Sequence, residues 1–224
     1  MKIALAIFVK TPVYSDVKTR LAASIGRVRA EEFYLHSIKA IESVALELKN
    51  SSNGIEPIWA LAESESLHHP LWEKLDRIYQ GEGDLGQRLS CIHDQLFNRF
   101  DIVYFIGADS PHLSVTFLKN SILDFSQERS SSFQLGEALD GGFYLLGMKS
   151  KIPSSVWTSI TYSSDTTSKQ LKEKILNIGA IAEIKKEFDV DIYEDLLHYK
   201  ENNFEIIDAT NEQIELIKWL KTNF

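Results

Sequence analysis

Three acidic sites stand where strand-like runs end, and carboxylates there invite a hard cation. In DIVYFIGADSPHL, Asp109 follows the most strand-like segment of the chain, and Pro111 forces an extended turn behind it. In LGEALDGGFYLLG, Asp140 precedes two glycines, which let backbone come close to a ligand. In EFDVDIYEDLLHYK, Asp189 and Asp191 fall between a strand and a helix. Asp191 has an alternative explanation as a helix cap, and Asp189 has none. Open α/β sheets bind ligands outside the carboxyl ends of their strands, so several carboxylates at one such edge point to a site.

A cationic loop is their counterpart. Lys18 and Arg20 fall where a helix begins, and Lys10 closes the first strand. Cations at a helix start oppose the helix dipole. An exposed loop that places them there is equipped for an anion, and phosphate is the natural one. Carboxylates beside such a loop make sense together with Mg²⁺ or Mn²⁺, shared with substrate phosphates. The six histidines have no zinc-ligand spacing. No G-x-S-x-G and no Walker G-x-x-x-x-G-K-[ST] motif occurs.

The stretch QGEGDLGQR holds Gly81, Gly83 and Gly86 in G-x-G-x-x-G spacing. A dinucleotide fingerprint needs a strong strand before it and usually sits in the first βα unit. Here only RIYQ precedes, and the first unit, FVKTPVYSDVKTR, has no glycine. The loop is therefore read as a turn ahead of a helix, not as an NAD or FAD site.

The elements that must position these residues alternate. KIALAIFV, IEPIWALA, RIYQ, DIVYFIG, SSFQLGEA, GFYLLGM and AIAEIKK read as strands. Helical spacing runs from Thr19 to about Asn50 with a break at Gly26, and through Leu85, Leu89, Ile92, Leu96 and Phe100. LHHPLWEKL reads as a short helix, Ser114 as the cap of a helix to Phe125, Asp165–Ile178 and IYEDLLHYK as further helices. Thr210 and Gln213 have capping-box spacing, opening a last helix with Ile214, Ile217 and Leu220 on one side. Such alternation implies an α/β protein with a mostly parallel sheet covered on both faces. The closeness of FQLGEA to GFYLLGM adds an antiparallel element.

The chain has 224 residues, 44% hydrophobic and 25% charged, enough for one large core. A single cysteine, Cys91, excludes an internal disulfide and suits a reducing cytoplasm. The net charge of −8 argues against nonspecific nucleic-acid binding. No apolar run approaches the length of a membrane span, and Lys10 closes the N-terminal one too early for a signal peptide.

In their order and spacing, FVKTPVYSDVKTRLA, QGEGDLGQR, FIGADSPHL, LGEALDGGFYLLGM and DVDIYEDL resemble a bacterial transferase family of the nucleotide-diphospho-sugar transferase superfamily. Members of that family are often named as glycosyltransferases of arsenosugar biosynthesis, and it is related to the phospholactate guanylyltransferases. The resemblance spans roughly residues 1 to 198. It implies a GT-A-like three-layer fold with a mostly parallel mixed sheet over residues 1–200; the segment beyond, 201–224, lies outside the resemblance and is read from its own helical pattern as a C-terminal extension packed on the same domain. It implies Lys10, Lys18 and Arg20 at nucleotide phosphates, and Gly83, Asp84 and Arg88 at the nucleotide pocket. It implies Asp109 at a Mg²⁺ or Mn²⁺ ion, with Asp189 or Asp191 completing the metal site. Asp140, with Gly141 and Gly142, would line the acceptor side, and Asp140 would serve as acceptor base. Its implied partners are a nucleotide sugar or NTP and a small-molecule acceptor.

The activity this implies is metal-dependent glycosyl transfer from a nucleotide-diphospho-sugar. Nucleotidyl transfer to a phosphorylated acid or sugar uses the same equipment, as does a nucleotide-binding regulatory protein without catalysis. Two departures stand out: Tyr14-Ser15 where the family has Pro-Gly, and Gly136-Glu137-Ala138 where it has Gly-Pro-Ala. The second sets a carboxylate near the pocket.

Overall fold

A computed structural model describes residues 1–52, 54–201 and 208–224. Strand β1 (Ile3–Val9) lies in the middle of a seven-stranded sheet, and its residues are apolar on both faces because helices cover both. Ile3, Leu5, Ile7 and Val9 face one layer, made by α2 (Arg27–Ser51) and α4 (Val115–Gln127). Ala4 and Ala6 face the other, made by α3 (Leu85–Leu96), α5 (Ser154–Trp157) and α6 (Thr167–Ile175). The alanines let α3 lie close to the sheet.

The remaining strands are β2 (Ile55–Leu61), β3 (Asp76–Tyr79), β4 (Ile102–Gly107), β5 (Phe133–Glu137), β6 (Phe143–Met148) and β7 (Ile181–Glu183). Their spatial order is β3-β2-β1-β4-β6-β5-β7. β6 runs antiparallel to both β4 and β5, and every other pairing is parallel. The amino end of β6 therefore shares an edge with the carboxyl ends of β1 to β5. The expected architecture, including the antiparallel element, is present.

A third cluster ties the C-terminal elements to this sandwich. Helix α1 (Thr19–Ile25) and α2 contribute Leu21 and Phe33, α7 (Tyr193–Glu201) contributes Leu196 and Tyr199, and α8 (Asn211–Asn223) contributes Leu216 and Leu220. Gly26, with φ +83°, breaks α1 from α2. Residues 202–207 of the expected extension lie outside the described residues.

Four local expectations are corrected. LHHPLWEKL forms two short 3₁₀ turns, Ser64–His68 and Pro70–Trp72, not one helix. Pro70 has no N–H to continue a helix, and the His69 ring caps the second turn by accepting from Leu71 N–H. Leu85 is exposed at the head of α3, so the buried stripe there starts at Leu89. The helix expected over Asp165–Ile178 is shorter at both ends, Thr167–Ile175, because residues 163–166 turn back on themselves first. In α8 the buried face is Gln213, Leu216 and Leu220, while Ile214 is exposed. Gln213 wins the inner position because its amide nitrogen donates to the carbonyls of Pro111 and Leu113.

Candidate active site

A cavity of about 670 Å³ opens over the carboxyl ends of the parallel strands. It is lined by Lys10, Lys18, Arg20, Gly83, Arg88, Asp109, Asp140, Gly142, Asp189 and Asp191, among others. Sequence segments more than 170 residues apart thus meet at one edge, as Lys18 and Asp191 do.

Asp109 follows β4, and its carbonyl accepts from Val190 N–H at 3.0 Å. That bond fastens the Asp109 loop to the segment carrying Asp189 and Asp191. Between the two carboxylate segments stands Lys18. Its ammonium lies 2.5 Å from Asp109 Oδ1 and 2.9 Å from Asp191 Oδ1, and it donates to the Val190 carbonyl at 2.6 Å. Three protons meet three acceptors, and the side chain is only 3% exposed. Burial alone would lower the Lys18 pKa, but Asp109 and Asp191 reverse this and raise it, so the ammonium stays charged. Lys18 is thus not the exposed phosphate ligand its position at a helix start suggests. It sits as N-cap residue at φ 48°, a left-handed conformation, and turns its charge inward.

Asp191 does not cap α7. Asp195 does so instead, accepting from Asp191 N–H and Ile192 N–H. The Asp191 carboxylate is spent on Lys18 and, at 3.7 Å, on Arg20. Burial would raise its pKa, yet these two cations hold it below the usual carboxylate range. Asp189 has the opposite surroundings. Burial, then Asp140, Asp191 and Asp109, push its pKa up to about 7. Among the described residues, Asp109, Asp189 and Asp191 do not close into a three-ligand metal cage.

The first loop is held by Glu63 at the end of β2. One carboxylate oxygen accepts from Thr11 N–H, and the other accepts from the Ser15 hydroxyl. Ser15 therefore fastens this loop to Glu63. The Tyr34 hydroxyl donates to the Lys10 carbonyl and accepts its N–H, both at 2.9 Å, which fixes the backbone at Lys10. Lys10 and Arg20 are the exposed cations of this loop that line the cavity.

The glycine loop joins β3 to α3. Gly83 has φ +96°, and Arg88 Nε donates to its carbonyl at 3.0 Å. Asp84 is the N-cap of α3, with its carboxylate accepting from Gln87 N–H and Gln87 answering to Asp84 N–H. Asp84 does not line the cavity; its carboxylate serves the helix. At Gly86 an added Cβ would lie 2.6 Å from the Trp157 carbonyl, so the third glycine lets α3 approach α5.

Asp140 and its glycines form the turn from β5 to β6. Asp140 Oδ1 accepts from Gly142 N–H at 2.8 Å. Gly141 is absent from the cavity wall: its backbone presses on Asp165, and its carbonyl accepts from Ser168 N–H. This brings residues 162–167 to the cavity, where Tyr162, Ser163, Ser164 and Thr167 join the lining. Sequence reasoning missed that wall, although the hydroxyl run YSSDTT before a helix was its signal. It missed Phe143 and Gln80 too. The carboxylate of Glu137 is not in the cavity; it pairs with Lys186 at 2.6 Å.

A family model described as "Uncharacterized protein conserved in bacteria (DUF2064)" matches residues 53–164, half of the chain. The comparison with curated proteins found no match. Among solved structures, a presumed nucleotide-diphospho-sugar transferase from Desulfovibrio desulfuricans G20 superimposes with a TM-score of 0.82 at 20% identity, covering 100% of this chain and 97% of that one. A cytidylyltransferase from Leptospira borgpetersenii gives 0.54 at 15% identity, with 100% and 95% covered. Rv0371c from Mycobacterium tuberculosis in complex with manganese gives 0.50 at 12% identity, with 88% and 97% covered. The fold is that of the nucleotide-diphospho-sugar transferases.

Proposed function

The chain belongs to the bacterial family DUF2064, and from that premise we propose that it is a transferase acting on a nucleoside phosphate, with glycosyl transfer from a nucleotide-diphospho-sugar as its reaction. One observation carries this reading: Lys10 and Arg20 meet Asp109 and Asp189 in a single cavity at the strand ends. The exposed cations, with Arg88, suit the phosphates of the donor. Gln80, Ala62 and Gly83, at the ends of β2 and β3, suit the base.

A divalent ion, Mg²⁺ or Mn²⁺, is part of the proposal. Asp189 fits one, because burial and then three acidic neighbours raise its pKa and no cation pairs with it among the described residues. Asp109 and Asp189 would hold the ion, and two carboxylates are the usual protein share of a Mg²⁺ site completed by phosphates. When bound, it would neutralise the diphosphate as it leaves. The manganese complex of Rv0371c, a distant likeness in fold, supports this choice. The protein's own part is positioning and charge stabilisation. Lys18 holds Asp109 and Asp191 at fixed places, while Lys10 and Arg20 meet the growing charge on the departing nucleoside diphosphate.

Nucleotidyl transfer is the second reading, favoured by the cytidylyltransferases among the structural neighbours. Incubating the protein and Mg²⁺ with nucleoside triphosphates and nucleotide sugars separates the two. Released nucleoside diphosphate supports glycosyl transfer, and released pyrophosphate supports the second reading. If no member of the panel binds in calorimetric titration, the proposal fails.

A further inference from the structure

The cavity divides by charge along the sheet. Over β1, β2 and β3 its wall carries Lys10, Arg88 and Asp16, the last paired with Arg27, and Arg20 stands at the border, 3.7 Å from Asp191 Oδ2. Over β4, β6 and β5 it carries Asp109, Asp140, Asp189 and Asp191. Among the described residues that line this side, the ammonium is that of Lys18, whose three protons are used on Asp109, Asp191 and the Val190 carbonyl. That wall also carries Ser163, Ser164, Thr167, Phe143 and Tyr144, and Tyr162 stands beside it where its ring borders Gly86 of α3. Lys185 and Lys186 follow β7 but lie outside the cavity, paired with Glu187 and Glu137. Neither Asn53 nor the segment from 202 to 207 contains a lysine or arginine.

Resting on the transferase reading above, we infer that the acceptor is a hydroxylated small molecule carrying no phosphate and no carboxylate. The donor phosphates claim the cationic half. An acceptor in the other half meets four carboxylates, Lys18 has no proton left for it, and Asp140 has no cation paired with it among the described residues, so an anion there finds no free cation and faces like charge at Asp140. Hydroxyls of a neutral or protonated-amine ring find acceptors in the carboxylates and donors in Ser163, Ser164 and Thr167. The ring itself lies against Phe143 and Tyr162. Tyr162 is held for this by donating its hydroxyl to the Trp157 carbonyl at 2.9 Å.

In the transfer, an acceptor hydroxyl oxygen forms the new bond to the anomeric carbon. The bond from that carbon to the diphosphate breaks, and the nucleoside diphosphate leaves with the electron pair. The hydroxyl proton passes to Asp140, whose Oδ1 is held by Gly142 N–H and whose Oδ2 has no partner among the described residues.

The test uses a matched series that differs only in charge. ADP, GDP, CDP and UDP are first titrated with Mg²⁺, and the tightest binder is kept at saturation. Failure of all four removes the transferase reading and the acceptor assignment with it. Glucose, glucosamine and glucose 6-phosphate are then titrated by calorimetry. Glucosamine should bind more tightly than glucose, and glucose 6-phosphate at least about tenfold more weakly. Asp140→Lys should improve glucose 6-phosphate binding by about tenfold. Asp140→Asn, which keeps the Gly142 bond, should erase the preference for glucosamine. The inference is overturned, with the transferase reading intact, if the wild type binds glucose 6-phosphate as tightly as glucose. Absence of binding by all three sugars overturns it as well.

Discussion

Lys18 and Arg20 lie two residues apart in one loop, yet the fold gives them different work. Lys18 is walled in by two carboxylates and a carbonyl, whereas the Arg20 side chain is 58% exposed. Lys18→Met should leave Asp109 without its cation and Asp191 with Arg20 alone, at a cost of about 1.5–3 kcal/mol in urea denaturation, because both carboxylates still reach water. Arg20→Ala should change stability by no more than about 0.5 kcal/mol while weakening nucleotide binding by about 1.5–3 kcal/mol in calorimetry. Equal stability losses in both variants would show that the buried bridge does not exist in solution. Asp189 makes a prediction with a definite sign. Its folded pKa of about 7 lies above the ordinary unfolded value, so the folded state binds the extra proton in between. Stability from this group is present at acid pH and is lost as pH rises from about 4 to 7. Asp189→Asn should therefore raise the melting temperature of the metal-free protein at pH 8 and leave it nearly unchanged at pH 4. A pH-independent gain would assign the effect to packing instead of charge.

At the level of elements, the third glycine of the GEGDLG loop is a packing device between α3 and α5. A methyl at Gly86 has the Trp157 carbonyl and the Tyr162 ring in its way. Gly86→Ala should destabilise by about 1–3 kcal/mol, read as a lower urea midpoint, despite the better helix propensity of alanine. His93 of α3 is buried, and its Nε2 accepts from Ile152 N–H at 2.9 Å, which requires a neutral ring. Burial lowers its pKa against the pull of Asp94. The unfolded chain then takes up the proton first, so this contribution is whole above about pH 6.5 and declines as pH falls below it. His93→Gln should flatten that decline in a pH series of denaturation curves. An unchanged slope would trace the acid sensitivity to other groups.

Taken as a whole, the molecule shows which parts of its architecture were open to reading from sequence. The two-sided apolar run of β1, the Gly26 break and the Thr210–Gln213 capping box are local patterns, and each fixes an element without reference to the rest of the chain. The carboxylates at strand ends were legible for the same reason. What stayed hidden depends on partners far away in sequence. Gln213 is buried because of carbonyls at Pro111 and Leu113, and Lys18 turns inward because Asp109 and Asp191 are there to receive it. The hydroxyl wall at residues 162–167 belongs to the cavity only because Gly141 lets the β5–β6 turn press on Asp165. The Lys18 bridge to Asp191 spans 173 residues, and it has a consequence for the order in which the protein is born. A chain emerging from the ribosome exposes the ammonium first, the Asp109 carboxylate about ninety positions later, and Asp191 about eighty positions after that. Until both carboxylates have emerged, the ammonium that the folded site seals in is bare to water.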